Sequence, residues 1–298
     1  MQKDNLLKSY LNLHLIVFIW GFTAVLGELI TIKEASLVWY RMLIAGILML
    51  LYVIITKKPW KLPLKSFINL IGVGFLIALH WLFFFKAINV SNVSITLAVF
   101  STGAFFASIL EPIFFNRKML WYEVFFGLII IGGLLMIIQV EAHYLEGILY
   151  ALLSVFIGVT FTLFNGKLIK TYDPAVITLY EFFAGVFLIT GYLAYEGAFD
   201  PQFFQISGDD WILILVLSSV CTAYAFTASV NVMKKLTPYT VMLTTNMEPV
   251  YGIILAYFIL GGKEKMSFGF YSGALIILGT VILNGVFKNY QRKKEARA

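Results

Sequence analysis

An all-α membrane protein of ten transmembrane helices, built as two inverted five-helix repeats around a central cavity, is the fold class this sequence predicts. Three observations lead there: its hydropathy, its division into ten apolar runs, and the likeness of its two halves. Of 298 residues 60% are apolar and only 13% are charged, with a mean hydropathy of +0.89. A soluble domain carries roughly 25% charged residues, so this chain has about half the polar surface that water demands. Ten spans of about 20 residues take up most of the length and exclude a sizeable extramembrane domain.

Breaks at charges, Pro and Gly bound apolar runs at 11–31, 35–55, 66–86, 92–115, 121–138, 147–167, 174–195, 211–233, 239–260 and 267–287. Lipid cannot satisfy open backbone groups, and the runs lack the alternation of barrel strands, so each reads as a helix. Lys3 and Lys8 precede the first run as they would in a signal peptide. No small-residue cleavage site follows, and the run reads as an uncleaved first helix. The net charge of +6 arises from short basic clusters between runs. That pattern signals topology, and no nucleic-acid partner is expected. With the N-terminus inside, all but five of the 22 Lys and Arg fall on inner segments; Lys33, Lys86, Lys263 and Lys265 are outer and Arg41 lies within the second run. A multi-pass cell-membrane protein with both termini cytoplasmic is therefore expected.

Internal likeness sets the domain reading. Arg117-Lys118-Met119-Leu120-Trp121 precedes Gly127 and Gly133, and Lys263-Glu264-Lys265-Met266-Ser267 precedes Gly273 and Gly279, at a constant offset of 146 for the glycines. Tyr40-Arg41 with Ala45-Gly46 answers to Tyr180-Glu181 with Ala184-Gly185. The expected division is a cytoplasmic N-terminus at 1–10, a first repeat at 11–138, a second at 147–287 and a basic cytoplasmic tail at 288–298, the one segment expected to be disordered. Because five is odd, the second repeat enters the membrane inverted, an arrangement suited to a shared midplane site opened to each side in turn.

Trp20-Gly21 in the first run, Arg41 early in the second, Pro249 in the ninth, and Leu260-Gly261-Gly262-Lys263-Glu264 leading to Gly273 and Gly279 resemble the drug/metabolite transporter superfamily in its ten-helix EamA-type branch. The resemblance covers about 11–287. It departs at Arg117-Lys118, where that branch commonly has Gly-Glu, and at Glu111-Pro112, which is outside the usual pattern. What it implies is movement of a small metabolite or amino acid, often export, by alternating access around a central cavity.

Ionisable groups inside runs are the strongest clues to a site, because a charge at bilayer centre costs about 2.5–3.5 kcal/mol on insertion scales. Glu248 lies in Thr244-Thr245-Asn246-Met247-Glu248-Pro249. Steps of four put Thr240, Thr244, Glu248 and Gly252 on one face, which suits either a substrate or proton pathway or a protonated acid bonded between helices. Pro249 removes a backbone donor and marks a kink, as does Pro112 in the fourth run. Arg41 cannot shed its charge, and Glu28 at similar depth is its candidate partner, as a structural pair or a gate; a clamp on a substrate carboxylate is the alternative. Glu181 answers to Arg41 in the second repeat, with Lys167, Lys170 or Tyr180 to satisfy it. His80 is either a packed bundle residue or a proton-sensitive one. Trp20, Tyr40, Trp81 and Tyr180 offer flat walls, or serve as ordinary packing. Ser94, Ser101 and Ser108 share a face with Glu111, either lining the pathway or easing helix approach.

Three functions remain: a secondary transporter, an intramembrane enzyme, and a non-transporting receptor or scaffold. The sequence lacks a His-Glu-x-x-His pair, a Gly-x-Ser-x-Gly elbow and a nucleotide-binding loop, so no catalytic residue, metal or cofactor is assigned. The single cysteine, Cys221, makes neither an internal disulfide nor a Cys-rich metal site. The expected reading is export of a small, partly apolar amphiphile such as an amino acid, by a monomer or homodimer, either coupled to protons through Glu248 or facilitated if Glu248 stays neutral.

Overall fold

A computed structural model describes residues 2–261 and 265–295. Ten helices among them are long and apolar enough to cross a membrane: α1 (Leu6–Leu29), α2 (Glu34–Ile55), α3 (Leu64–Val90), α4 (Val93–Phe115), α5 (Trp121–Val140), α6 (Ala142–Leu168), α7 (Pro174–Tyr195), α8 (Gly208–Val232), α9 (Pro238–Leu260) and α10 (Phe268–Phe287). No strand occurs among the described residues. Local signals end and begin these helices. Asn92, Asp173, Ser207 and Thr237 cap α4, α7, α8 and α9 by accepting main-chain N–H bonds, and Pro174 and Pro238 open two of them where a missing N–H is harmless. Asn116 closes α4 at a φ of 50°, a left-handed position that Asn tolerates.

The last helix corrects one expectation. It continues past Phe287 to Glu295, so the stretch read as a disordered tail is helical that far. Its Gln, Arg, Lys and Glu residues are good helix formers and extend a helix already nucleated in the bundle. Gly262, Lys263 and Glu264 of the repeat motif lie outside the described residues, as do 296–298.

The two halves run in opposite senses. Trp39, Met42 and Gly46 of α2 meet Thr190, Gly185 and Phe183 of α7, rising numbers against falling ones. Tyr122, Gly133, Ile137 and Val140 of α5 likewise meet Phe287, Ile277, Gly273 and Gly269 of α10. In α4 and α9 the pairs are Leu97 with Gly252, Gly103 with Asn246, and Glu111 with Tyr239. Helices of equal rank are thus antiparallel, as an odd-numbered repeat requires. The α5–α10 contact depends on bare backbone: a Cβ on Gly133 would sit 3.0 Å from the Gly273 carbonyl, and one on Gly273 2.9 Å from the Gly133 carbonyl. Small residues at such crossings replace the hydrophobic drive that lipid removes.

Three helices are irregular at mid-length. A two-residue turn at Ser101–Thr102 splits α4 into segments of eight and thirteen residues, and one at Asn246–Met247 splits α9 identically. The interruptions tighten to i→i−3 bonds, with Thr102 N–H on the Val99 carbonyl and Met247 N–H on the Thr244 carbonyl, both at 2.9 Å. In α9 the cause is Pro249, which cannot donate to the Thr245 carbonyl. In α4 the Thr102 hydroxyl also bonds the Val99 carbonyl (2.7 Å), beside Gly103. Pro112, expected to kink α4, lies inside the unbroken segment Gly103–Phe115. In α8 the residues Ser219–Tyr224 form a π-helical turn.

Candidate functional site

A cavity of about 90 Å³ lies where the halves meet, bordered by α1, α2, α3, α4, α6, α8 and α9. The described residues of α5, α7 and α10 contribute nothing to its wall. A base and an acid share it, Arg41 from α2 and Glu248 from the start of the second α9 segment, 1% and 7% exposed.

Arg41 is held by aromatic and hydroxyl groups. Its Nε–H donates to Thr222 Oγ1 at 2.6 Å, and its guanidinium carbon lies 4.0 Å from the centre of the Trp81 ring and 5.6 Å from that of Phe85. Such faces attract a cation when water is excluded. Nη1 is buried without a hydrogen-bond partner. The π-helical turn of α8 supplies the holding atoms: the Thr222 hydroxyl donates a hydrogen bond to the Leu217 carbonyl, and the Cys221 carbonyl accepts the Trp20 indole N–H at 3.2 Å. One irregular turn therefore positions both a charged and an aromatic wall residue. Such turns commonly mark functional positions.

His80 is oriented by α6. Its Nδ1 lies 2.8 Å from the Ser154 carbonyl, and the Ser154 hydroxyl donates to the His80 carbonyl at 2.7 Å. A carbonyl only accepts, so Nδ1 carries a hydrogen. The close fit needs Gly158, where a Cβ would stand 3.0 Å from the imidazole. Phe84, Phe100 and Phe161 surround the ring, and Phe226 joins Phe161 to Trp81. Chemically the cavity offers one cation, one acid and a largely aromatic wall.

The sequence pattern of the EamA-like transporter family matches residues 7–139 and again 145–286. The chain belongs to the EamA-like transporter family. It is also 21% identical over 204 residues to a Bacillus subtilis (strain 168) protein named Uncharacterized transporter YxxF, covering 66% of this chain and 64% of that protein. The chain thus spans just under two thirds of that curated relative's length. A crystal structure of a protein 14% identical superposes with a TM-score of 0.68 over 92% of this chain and 95% of that chain, a likeness of fold alone.

Of the residues singled out by sequence, this EamA-like chain brings Trp20, Arg41, His80, Trp81, Thr245, Asn246 and Glu248 to the cavity. The others lie elsewhere. Tyr40 donates its hydroxyl to the Phe203 carbonyl (3.2 Å) and stacks on that ring at 5.3 Å. Tyr180 bonds the Trp60 carbonyl at 2.8 Å and borders a separate apolar groove. Thr244 faces another groove beside His14 and Leu278, and Ser101 is buried at the α4 break while Phe100 reaches the cavity. Both errors have one cause: steps of four or seven assume a continuous helix, and each break shifts the phase. For the same reason Met242, off the Thr240–Gly252 stripe, lines the wall.

Arg41 makes no ion pair with Glu28 among the described residues; Thr222 and Trp81 take that place. Glu181 meets Asn165 and neither Tyr180 nor the lysines, since Lys167 and Lys170 lie over Phe114 and Phe115. Sequence reading missed the α6 face of Gly158, Thr162 and Asn165. Its i, i+4, i+7 spacing of small and polar residues was the available signal. Thr222 had none, because a π-helical turn is set by tertiary contacts.

Proposed function

We propose that this chain is a secondary transporter that exports a small metabolite, an amino acid or another partly apolar amphiphile, by alternating access. One observation carries the reading: the cavity between the halves holds two buried donors without partners, Arg41 Nη1 and Asn246 Nδ2, near the acid of Glu248. A buried unsatisfied donor costs about 1–3 kcal/mol, a cost that a ligand oxygen offsets. Arg41 suits a carboxylate, Glu248 an ammonium group or a proton, and Trp20, Trp81 and Phe226 an apolar portion. A site at the junction of antiparallel halves supports exchange between two access states. The excess of Lys and Arg on the segments that share a face with the termini supports cytoplasmic termini.

The test is flux in liposomes containing the full-length protein, with radiolabelled amino acids as first probes and a pH gradient imposed. Wild-type protein accumulates substrate, and Glu248→Gln exchanges it across the membrane but no longer accumulates it. Accumulation that survives Glu248→Gln removes the coupling role. Wild-type protein that moves none of the amino acids overturns the amino-acid reading. A stabilisation screen against metabolite pools then identifies any other ligand, since a molecule bound only by the folded form raises its apparent stability.

A further inference from the structure

Behind the cavity wall, α7 presents Glu181 to α6. Glu181 is 0% exposed and Asn165 is 1% exposed. The Asn165 Nδ2–H donates to Glu181 Oε2 at 3.4 Å. The remaining oxygen of each group, Glu181 Oε1 and Asn165 Oδ1, is buried with no hydrogen-bond partner. Two bare acceptors on groups already in contact are a costly arrangement in an apolar interior. Turning the amide over does not help, because it sets Oδ1 against a carboxylate oxygen. A single proton on Glu181 Oε1 resolves both defects, since it donates to Asn165 Oδ1 while the amide donates back.

Among the described residues no charged group offers another solution. On α3 the contact is Gly74, which lies against the Glu181 carbonyl with no room for a Cβ, and His80 further along is bonded to Ser154. On α6 Lys167 lies over Phe114. On α7 itself Tyr180 is bonded to the Trp60 carbonyl, and Asp173 at the cap to Lys58. Thr227 of α8 meets Thr178, Lys234 beyond the end of α8 borders a separate groove, and Arg41 of α2 is taken by Thr222.

We propose that Glu181 carries a proton and forms a closed acid–amide pair with Asn165, a proton-binding site separate from Glu248 at the back of the cavity. Asn165 borders the cavity on its other side. When it swings inward, the Glu181 O–H bond breaks, the proton passes to a cavity water and a carboxylate remains. Protonation rests on the geometry alone; its use in coupling rests on the transport reading.

The experiment is infrared spectroscopy of the full-length protein in liposomes at neutral pH, without substrate. The expected spectrum contains a protonated-carboxyl carbonyl band that vanishes in Glu181→Gln, an isostere that keeps both hydrogen bonds. In Asn165→Leu the band moves to higher frequency or is lost. Wild-type and Glu181→Gln spectra that coincide in the carboxylic-acid region overturn the proposal. Should Glu181→Gln fail to fold, a band unmoved in Asn165→Leu does the same. Because no flux is read, a negative result here is distinct from failure of the transport reading. With the band assigned, flux driven by a pH gradient then falls several-fold in Glu181→Gln if the site serves coupling.

Discussion

The Nε of Arg41 lies 2.6 Å from Oγ1 of Thr222, a hydroxyl inside a π-helical turn. This is the only polar side chain among the described residues that hydrogen-bonds the cavity's cation. Thr222→Val keeps the shape of the residue and removes the acceptor. Hydrogen bonds to charged groups contribute about 1.5–3 kcal/mol, so the variant is expected to lose that much stability and to bind substrate more weakly. Thermal unfolding in detergent and a binding isotherm check both. Arg41→Lys does not substitute, since an ammonium cannot lie flat on Trp81 while bonding Thr222.

Adjacent glycines on α5 should behave in opposite ways. A Cβ on Gly133 would stand 2.7 Å from the Ile277 side chain and 3.0 Å from the Gly273 carbonyl, whereas one on Gly132 meets nothing within 4 Å. Gly133→Ala is expected to cost about 1–3 kcal/mol through overpacking. Gly132→Ala is expected to be neutral or to gain up to about 1 kcal/mol of helix propensity. Paired melting curves decide the matter, and equal behaviour would contradict the antiparallel α5–α10 contact.

Arg117 ties three helices together on the face that carries the termini. It lies 3.0 Å from Glu111 and 3.1 Å from Glu123, and Glu111 also accepts the Tyr239 main-chain N–H at 3.2 Å. Burial lowers the affinity of the guanidinium for its proton, but the two carboxylates outweigh that and hold it above the ordinary arginine range. Arg117→Met leaves two buried acids without their cation and is expected to cost about 3–5 kcal/mol. Adding Glu111→Gln and Glu123→Gln should restore much of the loss, read by the same melting assay.

On that face Lys58 and Asp173 also join the two repeats, at 2.8 Å. The hydrogen bond to Asp173 raises the lysine pKa. A raised lysine contributes stability that is complete below its unfolded value of about 10.4 and is lost only as pH rises through the folded one. Between about pH 6 and pH 9 the pair is therefore insensitive to acid, while salt screens it. Raising the ionic strength at fixed pH should speed amide exchange in residues 57–63, and Lys58→Met should abolish that salt response. The melting temperature should move by less than about 3 °C.

How much was legible follows from what each signal depends on. Span positions depend on mean hydropathy over about 20 residues, a property of composition, and α1 to α10 overlie the ten apolar runs. Which buried groups need shelter depends on residue type, so Arg41 and Glu248 stood out from the sequence. Which face a residue takes depends on unbroken helical phase. That failed for Ser101 and Thr244, beside the two interruptions. Partner choice was least visible: the sequence offered lysines to Glu181 and an acid to Arg41, whereas the fold supplies an amide and a hydroxyl.

The interruptions in α4 and α9 divide both helices eight to thirteen, and the helices point opposite ways. Each short arm is about 12 Å long at 1.5 Å per residue, and the two arms lead from opposite faces of the membrane. A pivot of the same reach is thus available to either side. On the transport reading proposed above, such a scaffold is mechanically even-handed, and any preference for outward over inward traffic comes from the gradients it works against.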